Sequence, residues 1–275
     1  MDIRSFLSNY ADTTKLKNKY NESVKDIKEM FDIQTEFINS SKPQFILNAT
    51  ECTYISPPCL IILSSLQLIC LEQQKKLTIK LKYGSKLDKL LKHSGFIQTS
   101  KISNSSVPFT IIHSDDEIEE LITKIVELSP LKNEDKTTKQ TIISRLYELP
   151  ANSIEHSKNN NGVLCCAYYT TKKEFCFCIY DLGIGIPNSV REHKNNKHLS
   201  SKEALEWALK ESHTTMTSYP RGLGFTTIEE FRKKYNGTFK IITENVMYSA
   251  IHTEKKIKNF NKTIRGTLFM IKIMV

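Results

Sequence analysis

Three short segments in the C-terminal half hold residues whose types and spacing suit a bound nucleotide: Glu148-Leu-Pro-Ala-Asn152, Asp181-Leu-Gly-Ile-Gly185 and Arg221-Gly-Leu-Gly224. A Glu and an Asn four apart share one face of a helix. A carboxylate there can orient and deprotonate water. The Asn side-chain oxygen is a hard ligand for Mg2+, which takes few protein ligands beside phosphates. An Asp that ends a strand, next to glycines that let a ligand come close, can accept a hydrogen bond from an adenine amino group. Glycines 222 and 224 free the backbone to wrap phosphate, and a helix beginning at Leu223 turns its N–H groups and dipole toward it. There is no Gly-Lys-Ser/Thr, so this is no Walker loop; nor is it a dinucleotide fingerprint, because the third glycine and the preceding strand are missing.

Each segment also has an ordinary reading. Glu148, Asn152 and Glu155 form one polar row on a helix whose apolar stripe is Ile142, Ile143, Leu146, Leu149 and Ile154. Asp-x-Gly-x-Gly is a common turn. His156 reads as a polar cap, Trp207 as a packing residue and His213 as a surface residue. The order and spacing of the three segments make a nucleotide site the best single explanation.

The elements that must position them follow from periodicity. The segment 137 to past 154 reads as a helix, 163–169 and 174–181 as strands joined by a Thr-Thr-Lys-Lys turn. Then come a loop, a helix near 200–211, a loop, a helix near 223–235, a strand at 238–243, a basic loop and a strand at 267–274. Upstream, Ser114-Asp-Asp-Glu117 fits a capping box for a helix to about Leu128, which Ser129-Pro130 stops. Helices feeding a mixed sheet predict a two-layer α/β sandwich over 114–275. Residues 1–42 read as an amphipathic helical segment, with Val24, Ile27, Met30, Phe31, Ile33 and Phe37 at three- and four-residue steps. Residues 43–113 read as a small α/β domain: strand 45–47, a helix introduced by Pro57-Pro58, strand 77–81, a short helix 86–93 capped by Gly95, and a last strand 109–112.

Composition bounds the rest. The chain has 275 residues, 39% apolar and 25% charged, which is ordinary for a globular protein. No apolar run reaches the roughly 18 residues of a membrane helix, and 1–20 lacks the apolar core of a signal peptide. A cytoplasmic location is the expectation. The seven cysteines show no Cys-x-x-Cys spacing; Cys165-Cys166 and Cys176-Phe-Cys178 fall in strands and read as reduced core residues. The net charge of +9 is spread along the chain, so specific nucleic-acid binding is not expected from it.

Together the three segments, with Gly266-Thr267 before the last strand, resemble the GHKL ATPase superfamily of gyrase B, the ninety-kilodalton heat-shock chaperones and histidine kinases. The resemblance covers about 137–275 and implies an ATP-binding domain of the Bergerat type. It implies Glu148 as general base, Asn152 as Mg2+ ligand and Asp181 as the adenine reader. Gly183, Gly185 and Ile186 would lie beside the base, and Thr267 would support it through water. Residues 186–221 would form a lid, with Arg221, Gly222, Leu223 and Gly224 at the phosphates. Two positions depart from the pattern: Pro150 lies inside the Glu/Asn helix and predicts a local kink, and Phe225 stands where Leu is usual. The order of elements over 43–113 resembles a STAS domain. Its signalling members carry a phosphorylatable Ser or Thr where this chain has Tyr54-Ile-Ser-Pro-Pro-Cys59.

These resemblances imply a two-module regulator in which Mg·ATP drives a conformational switch. It would act on a partner protein, through the STAS-like domain or the lid, with a homodimer as an option and no membrane. An anti-sigma-like serine protein kinase is the first alternative. A non-catalytic interaction module with a relic site is the second. A histidine kinase fits less well, because neither His93 nor His113 is followed by an acidic residue.

Overall fold

The structure, a computed structural model, describes residues 10–93, 106–112, 115–128, 130–156, 162–169, 173–210 and 224–274. The chain divides into two compact units, Met1–Ser103 and Asn104–Val275.

In chain order the first unit runs β1 (Ala11–Lys15), β2 (Lys19–Tyr20), α1 (Val24–Asn39), β3 (Gln44–Asn48), β4 (Tyr54–Ile55), α2 (Pro57–Gln73), β5 (Lys76–Lys80) and α3 (Lys86–His93). β1, β3 and β5 form a parallel sheet in that order, and β2 pairs in parallel with β4. Parallel neighbours need crossovers, which α1 and α2 supply. Ser23 caps α1, its hydroxyl oxygen accepting the Asp26 N–H at 3.1 Å. Ile27, Met30, Phe31, Gln34 and Phe37 form its buried stripe. The first ten residues of α2 have no polar face: every residue from 57 to 66 is buried, and the Gln34 amide donates to Ser65 Oγ at 2.7 Å to join the two helices. The hydroxyl of buried Ser56 donates to the Asn21 carbonyl at 2.9 Å.

The helical expectation for the N-terminal segment holds from Val24 to Asn39 and fails at Ala11–Lys15 and Lys19–Tyr20, which are short strands; residues 1–9 lie outside the described residues. Ala-Asp-Thr-Thr-Lys carries no apolar run; its extended form is set by pairing with β3. That pairing places these residues in the first sheet rather than in a separate segment.

The second unit continues with β6 (Ser106–Ile112), α4 (Asp115–Leu128), a 3-10 turn (Pro130–Asn133), α5 (Lys136–His156), β7 (Gly162–Tyr169), β8 (Glu174–Asp181), α6 (Ile186–His193), α7 (Ser201–Ala208), α8 (Gly224–Lys234), β9 (Thr238–Ile251) and β10 (Glu254–Met274). Its sheet has the order β6-β7-β8-β10-β9. Every pairing in it is antiparallel, which corrects the mixed sheet expected here. Connectivity accounts for two of the pairings: β8 begins five residues after β7 ends, and His252-Thr253 reverse β9 into β10. Parallel pairing is confined to the first unit, so the chain as a whole is α/β. β6, expected as the last strand of the N-terminal unit, is an edge strand of this second sheet.

One apolar cluster joins α4 (Ile118, Ile122, Ile125), α5 (Ile142, Leu146) and α8 (Ile228, Phe231) to alternate sheet residues Phe175, Phe177, Ile179, Phe239, Ile241, Phe269 and Ile271. α5 runs unbroken through Pro150, which is buried. Two segments read as loops are regular. α6 forms behind Gly185 with Pro187 in its first turn, and Pro187 and Val190 bury one side of it. The basic segment 255–262 belongs to β10, paired with β9 as far as Glu254 opposite Ile251. Alternate apolar residues (Val246, Tyr248 and Ala250) sustain this ribbon beneath the lysines. Cys176 and Cys178, two apart on β8, share a face with their sulfurs 3.8 Å apart, and both are free thiols. Among the described residues no helix is long and apolar enough to cross a membrane, and no group of three or more His, Cys, Asp or Glu could hold a metal ion.

Candidate functional site

The register of the second sheet sets three polar residues side by side. Asp181 on β8 faces Thr267 on β10, which faces Thr243 on β9. Directly opposed residues share a sheet face. Each continues an alternating apolar series that packs under the helices: Phe175, Phe177 and Ile179 before Asp181, and Phe239 and Ile241 before Thr243. The row therefore lies on the helix-facing side, in line with these apolar residues. It is deeply buried, with Asp181 4%, Thr267 2% and Thr243 0% exposed.

Buried polar groups require partners, and here they come from the loop that follows β8. Asp181 Oδ1 accepts the Gly183 N–H at 2.9 Å, closing an Asx turn. Thr243 Oγ1 accepts the Ile186 N–H at 3.2 Å. That bond serves the start of α6, whose N-cap, Gly185, has no side chain to offer. The same hydroxyl donates to the Gly266 carbonyl at 3.1 Å and lies 3.2 Å from Thr267 Oγ1.

Two glycines make this close approach possible. Gly266 has φ +76°, and a Cβ there would lie 1.9 Å from the Asp181 carbonyl oxygen. It sits where β10 bulges between Ile264 and Thr267. Gly185 has φ +78°, and its Cβ would meet Thr243 Oγ1 at 2.9 Å. The bulge also clasps the loop from outside: Arg265 Nε donates to the Leu182 carbonyl at 2.6 Å, and the Tyr180 hydroxyl donates to the Arg265 carbonyl at 2.9 Å.

Of the residues singled out by sequence, Asp181, Gly183, Gly185, Ile186 and Thr267 thus meet at one place. Glu148 and Asn152 lie on α5, which packs on β7 and β8. They occupy the helix face shared with Thr141 and Ser144, both exposed; their own side chains lie outside the described residues. Gly224 is the first residue of α8. Arg221, Gly222, Leu223 and His213 lie outside the described residues. Thr243 was not singled out. Its one sequence signal is a hydroxyl where the Phe239-Ile241 alternation calls for an apolar residue.

The first part of the expected lid is anchored. α6 and α7 pack on each other and on β9. Arg191 donates to the Leu199 carbonyl at 2.7 Å and to Asn188 Oδ1 at 2.7 Å, and pairs with Glu244 at 3.0 Å; Glu244 also accepts from the Ser201 hydroxyl at 2.8 Å. The Lys194 ammonium lies 4.8 Å over the Trp207 ring. A cavity of about 750 Å³ backs onto the glycine loop between Gly183, Asn188, Arg191, Glu244 and Gly266.

A second buried network fixes α8, the helix that opens at Gly224. Arg232 makes a bidentate pair with Glu229 at 3.2 and 3.1 Å and donates to the carbonyls of Gly237 and His252 at 3.2 and 2.9 Å. Lys255 and the Tyr248 hydroxyl reach the same carboxylate at 3.0 and 3.3 Å. Burial opposes ionisation of Glu229, but the Arg232 and Lys255 hydrogen bonds outweigh it and hold its pKa below the usual value. Burial, then the Glu229 charge, raises that of Tyr248.

No protein-family model matches the chain, and no curated protein matches it.

Proposed function

We propose that the second unit is a GHKL-type site for Mg·ATP and that the chain is an ATP-driven switch acting on a partner protein. The observation that carries this reading is the buried row of Asp181, Thr267 and Thr243 on the helix-facing side of the sheet, next to two positive-φ glycines. A carboxylate at the end of β8 and a hydroxyl beside the β10 bulge, next to backbone with no Cβ, would form a close cradle for a purine edge. Asp181 accepts from the base amino group. Glu148 and Asn152, four apart on α5, supply a base for water and a hard oxygen ligand. Magnesium, when bound, neutralises phosphate charge. The N-terminus of α8 turns its N–H groups toward the same phosphates.

In this reading the anchored segment 186–210 is a fixed frame. The first unit, read as STAS-like, is the docking module. The test is calorimetric titration of the full chain with a non-hydrolysable ATP analogue, with and without Mg2+, beside Asp181→Asn and Glu148→Ala. Magnesium-dependent binding that Asp181→Asn loses, with Glu148→Ala keeping binding but not turnover, supports the proposal. Absence of binding to the wild-type chain refutes it and favours a relic site. Phosphate appearing on a partner rather than in solution selects the serine-kinase alternative.

A further inference from the structure

We propose that the first unit binds single-stranded nucleic acid, with Tyr83 as a stacking platform between the lysines of β5 and those of α3. This adds to the docking role of that unit and does not depend on the nucleotide site of the other.

Basic residues occur throughout the sequence, but one segment carries most of the excess charge. Residues 75–92 hold seven lysines against one aspartate, a net +6 of the chain's +9. The fold turns most of these lysines to solvent. On β5, Leu77 and Ile79 lie opposite the buried Phe45 and Leu47 of β3, so Lys76 and Lys80 point to the other side of the sheet, and both are exposed. On α3, Leu87 and Leu91 are fully buried, while Lys86 and Lys89 are exposed. Lys82 is exposed in the turn between. Lys75 is taken up by α1, donating to the carbonyls of Phe37 and Ile38 at 3.0 and 3.1 Å. The one carboxylate of the segment, Asp88, is held by Lys92 at 2.9 Å. Five lysines thus remain to face a polyanion.

The turn between the two rows holds an aromatic ring in water. Tyr83 is 90% exposed, the highest value for a large apolar side chain among the described residues. Its turn is nevertheless fixed. Asp88, 5% exposed, accepts the Gly84 N–H at 2.9 Å, and its own N–H donates to Ser85 Oγ at 3.1 Å. Lys92, anchored on Asp88, sets its ammonium 5.0 Å from the centre of the Tyr83 ring and covers one face of it. The other face is open, and beside it a Cβ on Gly84 would meet nothing within 4 Å. Lysines on an edge strand, which β5 is, commonly guard the edge against stray pairing. That role leaves Tyr83 unexplained. A flat uncovered ring between free ammonium groups suits a single strand, whose phosphates meet the charge while a base stacks on the ring. A duplex keeps its bases stacked on one another and has no free face to give. A lipid surface is a poorer match, because α3 turns its leucines inward and offers no apolar side.

The experiment measures, by fluorescence anisotropy, the affinity of the full chain for labelled oligo(dT) and oligo(U) of about 20 nucleotides. The duplex of oligo(dT) with oligo(dA) and a labelled polyglutamate are the competing polyanions, and salt is varied from about 50 to 200 mM. The wild-type chain should bind at least one single strand more tightly than duplex or polyglutamate, and the strand it prefers tells DNA from RNA. Tyr83→Ala should weaken that binding about fivefold or more without changing its salt slope, and Tyr83→Phe should restore it. Lys80→Gln with Lys82→Gln should lower the slope by about 0.7 for each lysine. Lys256→Gln with Lys258→Gln, the same charge change on the β9–β10 ribbon, removes no phosphate contact and should leave affinity within about twofold. All these side chains are exposed, so the variants should fold. Four results would each overturn the inference: no binding at the lowest salt, binding indifferent to Tyr83→Ala, an equal loss from the ribbon pair, or tighter binding of duplex or polyglutamate.

Discussion

Replacing Gly266 by Ala isolates the demand the site makes on backbone geometry. Two terms add. The residue sits at φ +76°, and an L side chain in the left-handed region costs about 1–2 kcal/mol. The new Cβ would also lie 1.9 Å from the Asp181 carbonyl oxygen, against the 3.4 Å at which ordinary contact begins. The obstacle is backbone, so no rotamer relieves it. β8 and β10 must part by about 1.5 Å at the Asp181–Thr267 pair, an overpacking cost of about 1–3 kcal/mol. The sum, roughly 2–5 kcal/mol, should lower the thermal midpoint of the second unit by about 4–20 °C. Fluorescence of Trp207, the single tryptophan, follows that unit. Gly84→Ala is the control, because Gly84 has φ +70° with nothing within 4 Å; it should show the strain alone, about 1–2 kcal/mol in the first unit, read by far-UV circular dichroism because Trp207 lies in the other unit. A Gly266→Ala midpoint within 2 °C of wild type would refute the reasoning, because it would mean that the bulge yields freely.

The Glu229 network gives two further expectations. Arg232→Ala leaves a buried carboxylate with its main partner removed, a loss of about 3–5 kcal/mol in chemical denaturation followed by Trp207; a loss under about 1 kcal/mol would show that water replaces the guanidinium. The same carboxylate has its pKa lowered from 4.5 in the fold. Its stabilisation is therefore fully present above pH 4.5 and fades as pH falls through the lower folded value. Glu229→Gln should flatten the acid limb of the stability curve below pH 4.5, and equal slopes in the two proteins would contradict the assignment. At the site itself, Asp181→Asn should abolish adenine recognition in the calorimetric titration, and undiminished affinity would remove Asp181 from the role given to it.

Much of the fold was legible because periodicity and punctuation agreed. α1 shows its apolar stripe, α2 its two prolines, and β8 its alternation up to Asp181. What escaped is what pairing alone specifies. β1 is short and threonine-rich, and is a strand because β3 lies beside it. α6 begins with Gly-Ile-Pro, which reads as a turn until Pro187 and Val190 are seen to be buried. The lysines and asparagines of 255–262 mask a ribbon whose apolar side belongs to β9 as much as to β10. The site divides in the same way. Glycines and an aspartate announce themselves by type. Thr267 is legible from Gly266-Thr267 before the last strand, whereas Thr243, 24 residues away, joins it only through the register of an antiparallel hairpin.

The reach of β10 back to β8 has a consequence in time. Tyr180 and Arg265, bonded across the two strands, are 85 residues apart in sequence. At about 5–20 residues per second, a ribosome takes roughly 4–17 s to make the intervening chain. Until then β8 has a bare edge that carries Phe175, Phe177 and Ile179, a template for misplaced pairing. Among the described residues, the strands of the first unit are all made by residue 80, long before. The row of Asp181, Thr267 and Thr243 is thus among the last parts of the second sheet to form, and a chain stopped short of Gly266 lacks it.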